Sequence, residues 1–437
     1  MPRKNSATAA IVLAAGKGTR MKSKLPKVLH PCCEVPLIVR VVGAAVKRGY
    51  GPIVVVVGKE SARVREMVSA NFPKADIVFA VQKEQRGTGH AAQAGLAAIP
   101  NFKGKIVTLY GDVPLLRPQT LAAVERAAKN SALALLSAQV DDPTGYGRVV
   151  RDGNQVLEIV EQKDCTPAQR DIKEVNVGVY CADAELIREA LGGIKANNKQ
   201  NELYLTDVVK LAAERGKTRS VDVAAEEVRG INTRAELAEA EATLRRWIVL
   251  EHQKKGVTFR DPASVIINER VSIGSDAVIG AGVQFYGTVK IASGARVEGP
   301  SVLKNAEVGS DAVVESFSHV EDAKLGSATV IGPYARIRPG SELKEGAKVG
   351  NFVELKKTQL GRGAKVNHLA YVGDAKVGPG ANVGAGTITC NYDGFRKHPT
   401  TIGKGAFVGS NSTLVAPVTI GNDAYVAAGS TVTRNVP

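Results

Sequence analysis

Between Leu13 and Lys27 the chain reads LAAGKGTRMKSKLPK, which sets two glycines and two alanines among five cationic side chains. Glycine leaves backbone N–H groups open to close approach, and Arg20 and Lys27 supply positive charge, so the stretch suits phosphate oxygens. It matches neither of the common phosphate loops. Gly16-Lys17-Gly18 runs into Thr19-Arg20-Met21 where a dinucleotide fingerprint needs a third glycine, and the GxxxxGK[ST] spacing is absent. On spacing alone, a phosphate cradle and a plain glycine turn both stay open.

Two other positions carry chemistry. Asp112 closes the run IVTLYGD, where a carboxylate at a strand's carboxyl end can meet a hard cation such as Mg2+. Capping a loop is the alternative role. His368 lies in KVNHLAYVGD, and a neutral imidazole suits proton removal near pH 7. The alternative there is an ordinary solvated histidine.

The elements that must position these groups fall into two styles. Up to residue 231, short apolar β-rich runs (AAIVLAAG, GPIVVVVG, ADIVFAVQ, GKIVTLYGD, SALALLSAQV) alternate with the helical stretches Leu37–Arg48, Ser61–Ala70, Gly89–Ala98 and Pro118–Lys129. That alternation predicts an α/β fold with a parallel sheet, whose ligands gather at the carboxyl ends of the strands. Thr233 and Glu236 then stand in capping-box spacing and open a helix that runs to Gly256, with Leu237, Leu244 and Ile248 on one face. From Val257 the period becomes six: Ile331, Ile337, Leu343, Val349, Leu355, and later Ile402, Val408, Leu414, Ile420, Val426, Val432. A repeat of six over this length predicts a β-solenoid of the left-handed parallel β-helix type, with some ten triangular coils. Breaks in the hexad are expected at Lys356–His368 and at Cys390–Thr400, and loops that interrupt a solenoid tend to carry function. The expected division is 1–232, a linker helix 233–256, and 257–437.

Bulk properties narrow the class. The chain has 437 residues, 44% of them hydrophobic, and a net charge of +15, which favours anionic partners. No basic cluster is interleaved with aromatics, so small phosphorylated molecules are expected rather than nucleic acid. Five scattered cysteines suit a reducing cytoplasm. Ala7–Ala15 is short and runs into a charged loop, so it reads as a buried first strand rather than a leader. No stretch approaches the roughly 20 apolar residues that span a bilayer.

LAAGKGTRM followed by LPK resembles the signature of sugar-nucleotide pyrophosphorylases, and the likeness continues through EQRGTGHA, YGDVPL, PTGYGRVV, VEQKD, EVNVGVY and GINTR. GNFVELKK, HLAYVGDA, GAGTITCNYDG and VAPVTIG resemble an acetyltransferase of hexapeptide repeats. Together they are similar to a family of bifunctional bacterial uridylyltransferase/N-acetyltransferases, over nearly the whole chain. The resemblance implies a Rossmann-like nucleotidyltransferase domain followed by the β-helix. It also implies synthesis of UDP-N-acetylglucosamine, a precursor for peptidoglycan and lipopolysaccharide. Glucosamine 1-phosphate would be acetylated from acetyl-CoA, and UTP would then react with N-acetylglucosamine 1-phosphate.

By the same resemblance, Leu13, Ala14, Ala15 and Gly16 would line the nucleotide, with Gln82, Gly87 and Thr88 at the uracil. Tyr110 and Gly111 would flank the sugar, which Gly147, Glu161 and Asn176 would hold. Lys27 and Arg20 would stabilise the phosphates, and Asp112 with Asn232 would bind Mg2+. In the second half His368 would be the general base, with Arg338 and Lys356 on the sugar phosphate and Tyr371 and Asn382 beside the sugar. Ala385, Asn391, Tyr392, Ser410 and Ala428 would meet acetyl-CoA. The family forms homotrimers and continues into a basic C-terminal tail, whereas this sequence stops at TVTRNVP, so the last coil is expected to be uncapped. The residues alone leave a second possibility: a sugar-1-phosphate nucleotidyltransferase whose β-helix is structural or regulatory.

Overall fold

The computed structural model describes residues 7–16, 18–59 and 61–437, so Lys17 of the glycine loop lies outside the described residues. The chain divides into two compact units, Met1–Glu241 and Ala242–Pro437, and the division falls within the helix Arg234–Gln253.

The first unit is built on one sheet. Its first strand, Thr8–Leu13, is interior and pairs in parallel with Ile53–Val57 on one side and Lys105–Tyr110 on the other. Residues Ala9–Val12 are wholly buried, as a strand covered on both faces must be. Beyond Ile53–Val57 comes Ile77–Val81. On the other flank the order runs through Glu174–Asp183 and Leu133–Gln139 to Thr218–Asp222. Helices Leu37–Arg48, Ala62–Asn71, Thr88–Ala97 and Pro118–Ala127 occupy the stretches expected of them.

The parallel expectation needs one correction. Glu174–Asp183 runs antiparallel to both its neighbours, and an antiparallel hairpin, Arg148–Asp152 with Gln155–Val160, joins its end. The sheet is therefore mixed. Along Glu174–Asp183 the register shifts between Asn176 and Tyr180, where Gly178 has φ +76°. A Cβ on Gly178 would stand 1.6 Å from the Tyr110 ring, so this bulge exists only because position 178 lacks a side chain.

The second unit is a parallel β-helix. Three sheets of ten, nine and nine short strands take the chain in rotation, each strand pairing in parallel with the one a coil later. The hexad aliphatics Ile331, Ile337, Leu343, Val349 and Leu355 are all buried in its core, as are Ile402 to Val426, while Val432 is half-buried.

One of the two expected breaks is not a loop. Between Leu355 and Leu360 the chain saves one residue at a corner turned by Lys357, φ +46°, and the coil closes seventeen residues on. From Leu360 the hexad resumes, and His368 ends a regular strand, Lys365–His368. Asn305 and Asp322 turn equally short corners in earlier coils, so this shortening is a feature of the prism. The other break is a true extrusion. Gln359 pairs with Lys376, seventeen residues on, but Lys376 pairs with Thr401, twenty-five on. The added residues form a small hairpin closed by an antiparallel bridge from Tyr392 to Lys397.

Candidate active sites of the two units

At the carboxyl ends of the central strands a cavity of about 350 Å³ opens. Its walls include Leu13, Ala14, Ala15, Gly16, Lys27, Gln82, Gly87, Thr88, Tyr110 and Asp112. The sequence-derived nucleotide residues thus converge. Gly111 lies just below: its N–H donates to the Leu13 carbonyl at 2.9 Å, and a Cβ there would crowd Ala14 and Ile38 at 3.2 Å. Gln82 is buried, and its amide donates to the Gly87 carbonyl at 3.1 Å. Gly87, at φ +103°, lets Leu203 pack so closely that a Cβ would lie 2.5 Å from the Leu203 carbonyl.

Asp112 and Asn232 are far apart in sequence, and the fold joins them. The Ile231 N–H donates to the Asp112 carbonyl at 2.9 Å, which delivers the next residue beside the carboxylate. Glu236 then accepts the N–H groups of Asn232 at 2.6 Å and Thr233 at 2.7 Å, fixing the turn into the helix. The Lys27 ammonium sits between the pair, hydrogen-bonded to Asp112 Oδ2 and to Asn232 Oδ1, the latter at 3.0 Å. One carboxylate and one amide oxygen therefore converge on a single cationic point. Among the described residues no cluster of three or more His, Cys, Asp or Glu is placed to hold a metal. A hard cation bound by one carboxylate, one amide oxygen and phosphate oxygens needs no such cluster.

The residues expected on the sugar side form an adjoining group. The Asn176 N–H donates to the Gly147 carbonyl at 2.8 Å, and Asn176 Oδ1 accepts the Gly178 N–H at 3.0 Å. A Cβ on Gly147 would meet Ile159 at 2.8 Å and approach the Glu161 carboxyl at 3.6 Å. Burial pushes the Glu161 carboxyl up, against the opposing hydrogen bond from Thr206 at 3.3 Å. Burial, with the Glu161 charge second, also raises the Tyr110 phenol, so Tyr110 links the cavity to this group. Arg20 stands exposed on the short turn Thr19–Met21, outside the residues that line the cavity. Gln85, whose amide donates to the Ala15 carbonyl at 2.6 Å, also lines the wall and was not foreseen. Only its place in EQRGTGHA could have drawn attention to it.

In the β-helix, one corner gathers the second set. Asn351 and His368 are register partners in consecutive coils, and His368 Nδ1 lies 2.7 Å from Asn351 Oδ1. The Gly386 N–H donates to the His368 carbonyl at 3.2 Å one coil on. Ala385, Ser410 and Ala428 follow in the same column: a Cβ on Gly384 would touch Ser410 N at 2.7 Å, and one on Gly409 would touch Ala428 N at 2.4 Å. Asn382 sits in the strand stacked on Lys365–His368.

Around the corner, Arg338 donates to Glu354 at 2.6 Å, and that hydrogen bond raises the guanidinium. A Cβ on Gly373 would contact both Tyr371 Oη at 2.5 Å and Asn391 Nδ2 at 2.9 Å, which puts the phenol next to the extruded hairpin. Asn391 is buried there and donates to Asp374, while Tyr392 is exposed and donates to the Gly394 carbonyl at 2.6 Å. Lys397, on the same hairpin, lies against Lys356, and this neighbour lowers its ammonium. Lys397 was missed as a neighbour because only the folded hairpin brings it back to Lys356.

This pairing of a nucleotide cavity on an α/β sheet with a polar corner on a β-helix defines a two-site transferase. Residues 10–172 match the family of MobA-like NTP transferase domains, and 399–434 match the bacterial transferase hexapeptide repeats, whose β-helix is left-handed. The chain is 48% identical over 420 residues to the bifunctional protein GlmU of Anaeromyxobacter dehalogenans strain 2CP-C, covering 95% of this chain and 86% of that one. To the bifunctional protein GlmU of Geobacter sulfurreducens it is 46% identical, covering 98% and 94%. The chain belongs to the bifunctional GlmU family and combines a uridylyltransferase and an acetyltransferase in one polypeptide.

Proposed function

We propose that the two sites act in sequence on one sugar. The β-helix corner acetylates glucosamine 1-phosphate from acetyl-CoA, and the cavity of the first unit joins the product to UTP. In the first step His368 takes a proton from the amine as its nitrogen attacks the thioester carbonyl. A C–N bond forms, the C–S bond breaks, and coenzyme A leaves as its thiol. Arg338 and Lys356 hold the sugar phosphate, Tyr371 and Asn382 flank the ring, and Ala385, Asn391, Tyr392, Ser410 and Ala428 receive the coenzyme.

In the second step a phosphate oxygen of N-acetylglucosamine 1-phosphate attacks the α-phosphorus of UTP in line, and pyrophosphate departs. Leu13, Ala14, Ala15 and Gly16 cradle the nucleotide, with Gln82, Gly87 and Thr88 at the base. Tyr110, Gly111, Gly147, Glu161 and Asn176 orient the sugar. Lys27 and Arg20 neutralise the phosphates. The Asp112 and Asn232 oxygens suit Mg2+, which would supply charge neutralisation at the transferring phosphate.

The observation that carries this reading is the Lys27 ammonium held between Asp112 and Asn232 at the edge of the nucleotide cavity. Its test is Asp112→Ala. Mg2+-dependent UDP-sugar formation should fall by about a thousandfold or more, while acetyl transfer stays at its original rate. Survival of uridylyl transfer near the wild-type rate would overturn the assignment. We further place the enzyme in the cytoplasm, consistent with the absence, among the described residues, of any helix long and apolar enough to cross a membrane. We also propose that it works as a homotrimer, in which the acetyl site is completed between neighbouring β-helices, with residues 233–256 linking the uridylyltransferase part, 1–232, to the acetyltransferase part, 257–437.

A further inference from the structure

Asn351 is the residue that gives His368 its function: we propose that its side-chain oxygen accepts the Nδ1 proton of the imidazole and so leaves the Nε2 lone pair free for the substrate amine. This inference rests on His368 being the base and goes on to name what holds it.

Two independent features of the prism put Asn351 there. On this face the neighbouring strands Val330–Ile331, Asn382–Val383 and Phe407–Val408 are two residues long. Lys348–Asn351 and Lys365–His368 run for four, which carries the ladder one step further, to the pair Asn351 and His368. Gly350 permits that extension, because a Cβ there would lie 2.0 Å from the Asn367 carbonyl oxygen. The Leu369 N–H then donates to the Asn351 carbonyl at 3.1 Å, so Asn351 engages the next coil by backbone and side chain alike.

The contact between His368 Nδ1 and Asn351 Oδ1 is 2.7 Å, a full hydrogen bond, and an amide oxygen can only accept. Nδ1 must therefore carry the proton. Without this partner the ring is free to place its proton on Nε2, the atom that has to be bare. A neutral amide also differs from a carboxylate, since it fixes the tautomer without adding a negative charge. The carboxylate of Glu354 on these two coils, register partner of Tyr371, is engaged by Arg338 at 2.6 Å. The strand beneath carries Lys348, the strand above, Asn382–Val383, has no ionisable group, the histidine's own strand carries Lys365, and the next strand in the coil begins with Tyr371.

The experiment compares wild type, Asn351→Ala, Asn351→Asp and His368→Ala as full-length proteins. Uridylyl transfer serves as the folding control, and 15N spectra of histidine-labelled protein give the tautomer, with His368→Ala assigning the signal. Wild type should show protonated Nδ1 and bare Nε2. Asn351→Ala should lose about tenfold or more in acetyl-transfer kcat, with KM for glucosamine 1-phosphate nearly unchanged and a shift toward protonated Nε2. In Asn351→Asp the carboxylate favours the imidazolium, so the acid limb of the acetyl-transfer pH profile should move up by about one unit. Protonated Nε2 in wild type, or Asn351 variants with unaltered kcat and pH profile, would overturn the inference while leaving the His368 assignment standing. Acetyl transfer that persists in His368→Ala would overturn that assignment itself.

Discussion

At Glu161 the fold forces a compromise between folding and binding. The carboxyl is buried beside the residues proposed to hold the sugar, and desolvation pushes it up from the usual carboxylate range, with Thr206 opposing. For an acid with a raised folded value, ionisation costs the folded state. That penalty is absent below the unfolded value, 4.5, grows as pH rises toward the folded one, and is complete above it. Glu161→Gln should therefore unfold at a higher temperature at pH 7.5 than wild type, with the gain vanishing near pH 4. The same change should raise KM for N-acetylglucosamine 1-phosphate, since an amide replaces a charged acceptor of sugar hydroxyls. Calorimetry at the two pH values and initial-rate kinetics check both halves, and a variant that is less stable at pH 7.5 would contradict the argument. Glu227 shows how a buried carboxyl can brace the segments that carry Asp112 and Asn232. It accepts the Arg117 N–H at 2.9 Å and the Thr120 hydroxyl, and so ties the segment after Asp112 to the one that leads into Asn232.

Elements set what can be read ahead of the fold. The hexad aliphatics and the buried strand Thr8–Leu13 were legible because burial leaves a direct mark on residue type. The direction of Glu174–Asp183 was not, since strand orientation comes from pairing partners remote in sequence. His368 was singled out for a local reason that the fold does not bear out: the lost residue lies at the Lys357 corner, and the strand that ends in His368 is regular. Lys27 meeting both Asp112 and Asn232 was equally beyond local pattern, because the contact spans 205 residues to Asn232. The bulge at Gly178 makes an element-scale test. Gly178→Ala would drive a methyl into the Tyr110 ring at a positive φ, and should cost about 2–4 kcal/mol and raise KM for the sugar phosphate in uridylyl transfer. Acetyl transfer should be untouched, and an unchanged melting temperature would refute the bulge. The extruded hairpin makes another. Asp393 accepts the N–H groups of Phe395 and Arg396 and bonds His398 at 2.7 Å, which together hold its carboxyl down at about 2. Its hold on the hairpin is complete above the ordinary value of 3.8 and is lost as pH falls through about 2. The protection factors of the Phe395 and Arg396 amides, taken against their intrinsic rates, should persist at pH 4 and collapse near pH 2, whereas Asp393→Ala should lack protection at both.

At the scale of the whole molecule, the question is whether one chain must perform both steps on the same sugar. Each unit has its own buried core, and the residues proposed for uridylyl transfer all belong to the first unit, those for acetyl transfer to β-helices. Damage to one site should leave the other intact, and the sugar phosphate made at one should be free to reach the other through solution. Asp112→Ala should then accumulate N-acetylglucosamine 1-phosphate, and His368→Ala should make no UDP-sugar from glucosamine 1-phosphate. A mixture of the two variants should form UDP-N-acetylglucosamine from glucosamine 1-phosphate, acetyl-CoA and UTP. It should do so after a lag, while the intermediate builds up in solution. The net charge of +15 bears on that lag, since a cationic protein concentrates a phosphorylated intermediate near its surface. Raising the salt from 0.01 M to 0.1 M shortens the screening length from about 30 Å to about 10 Å, so the lag should lengthen with salt. A mixture that makes no product, although each variant keeps its remaining activity, would mean that the intermediate never leaves the chain that made it.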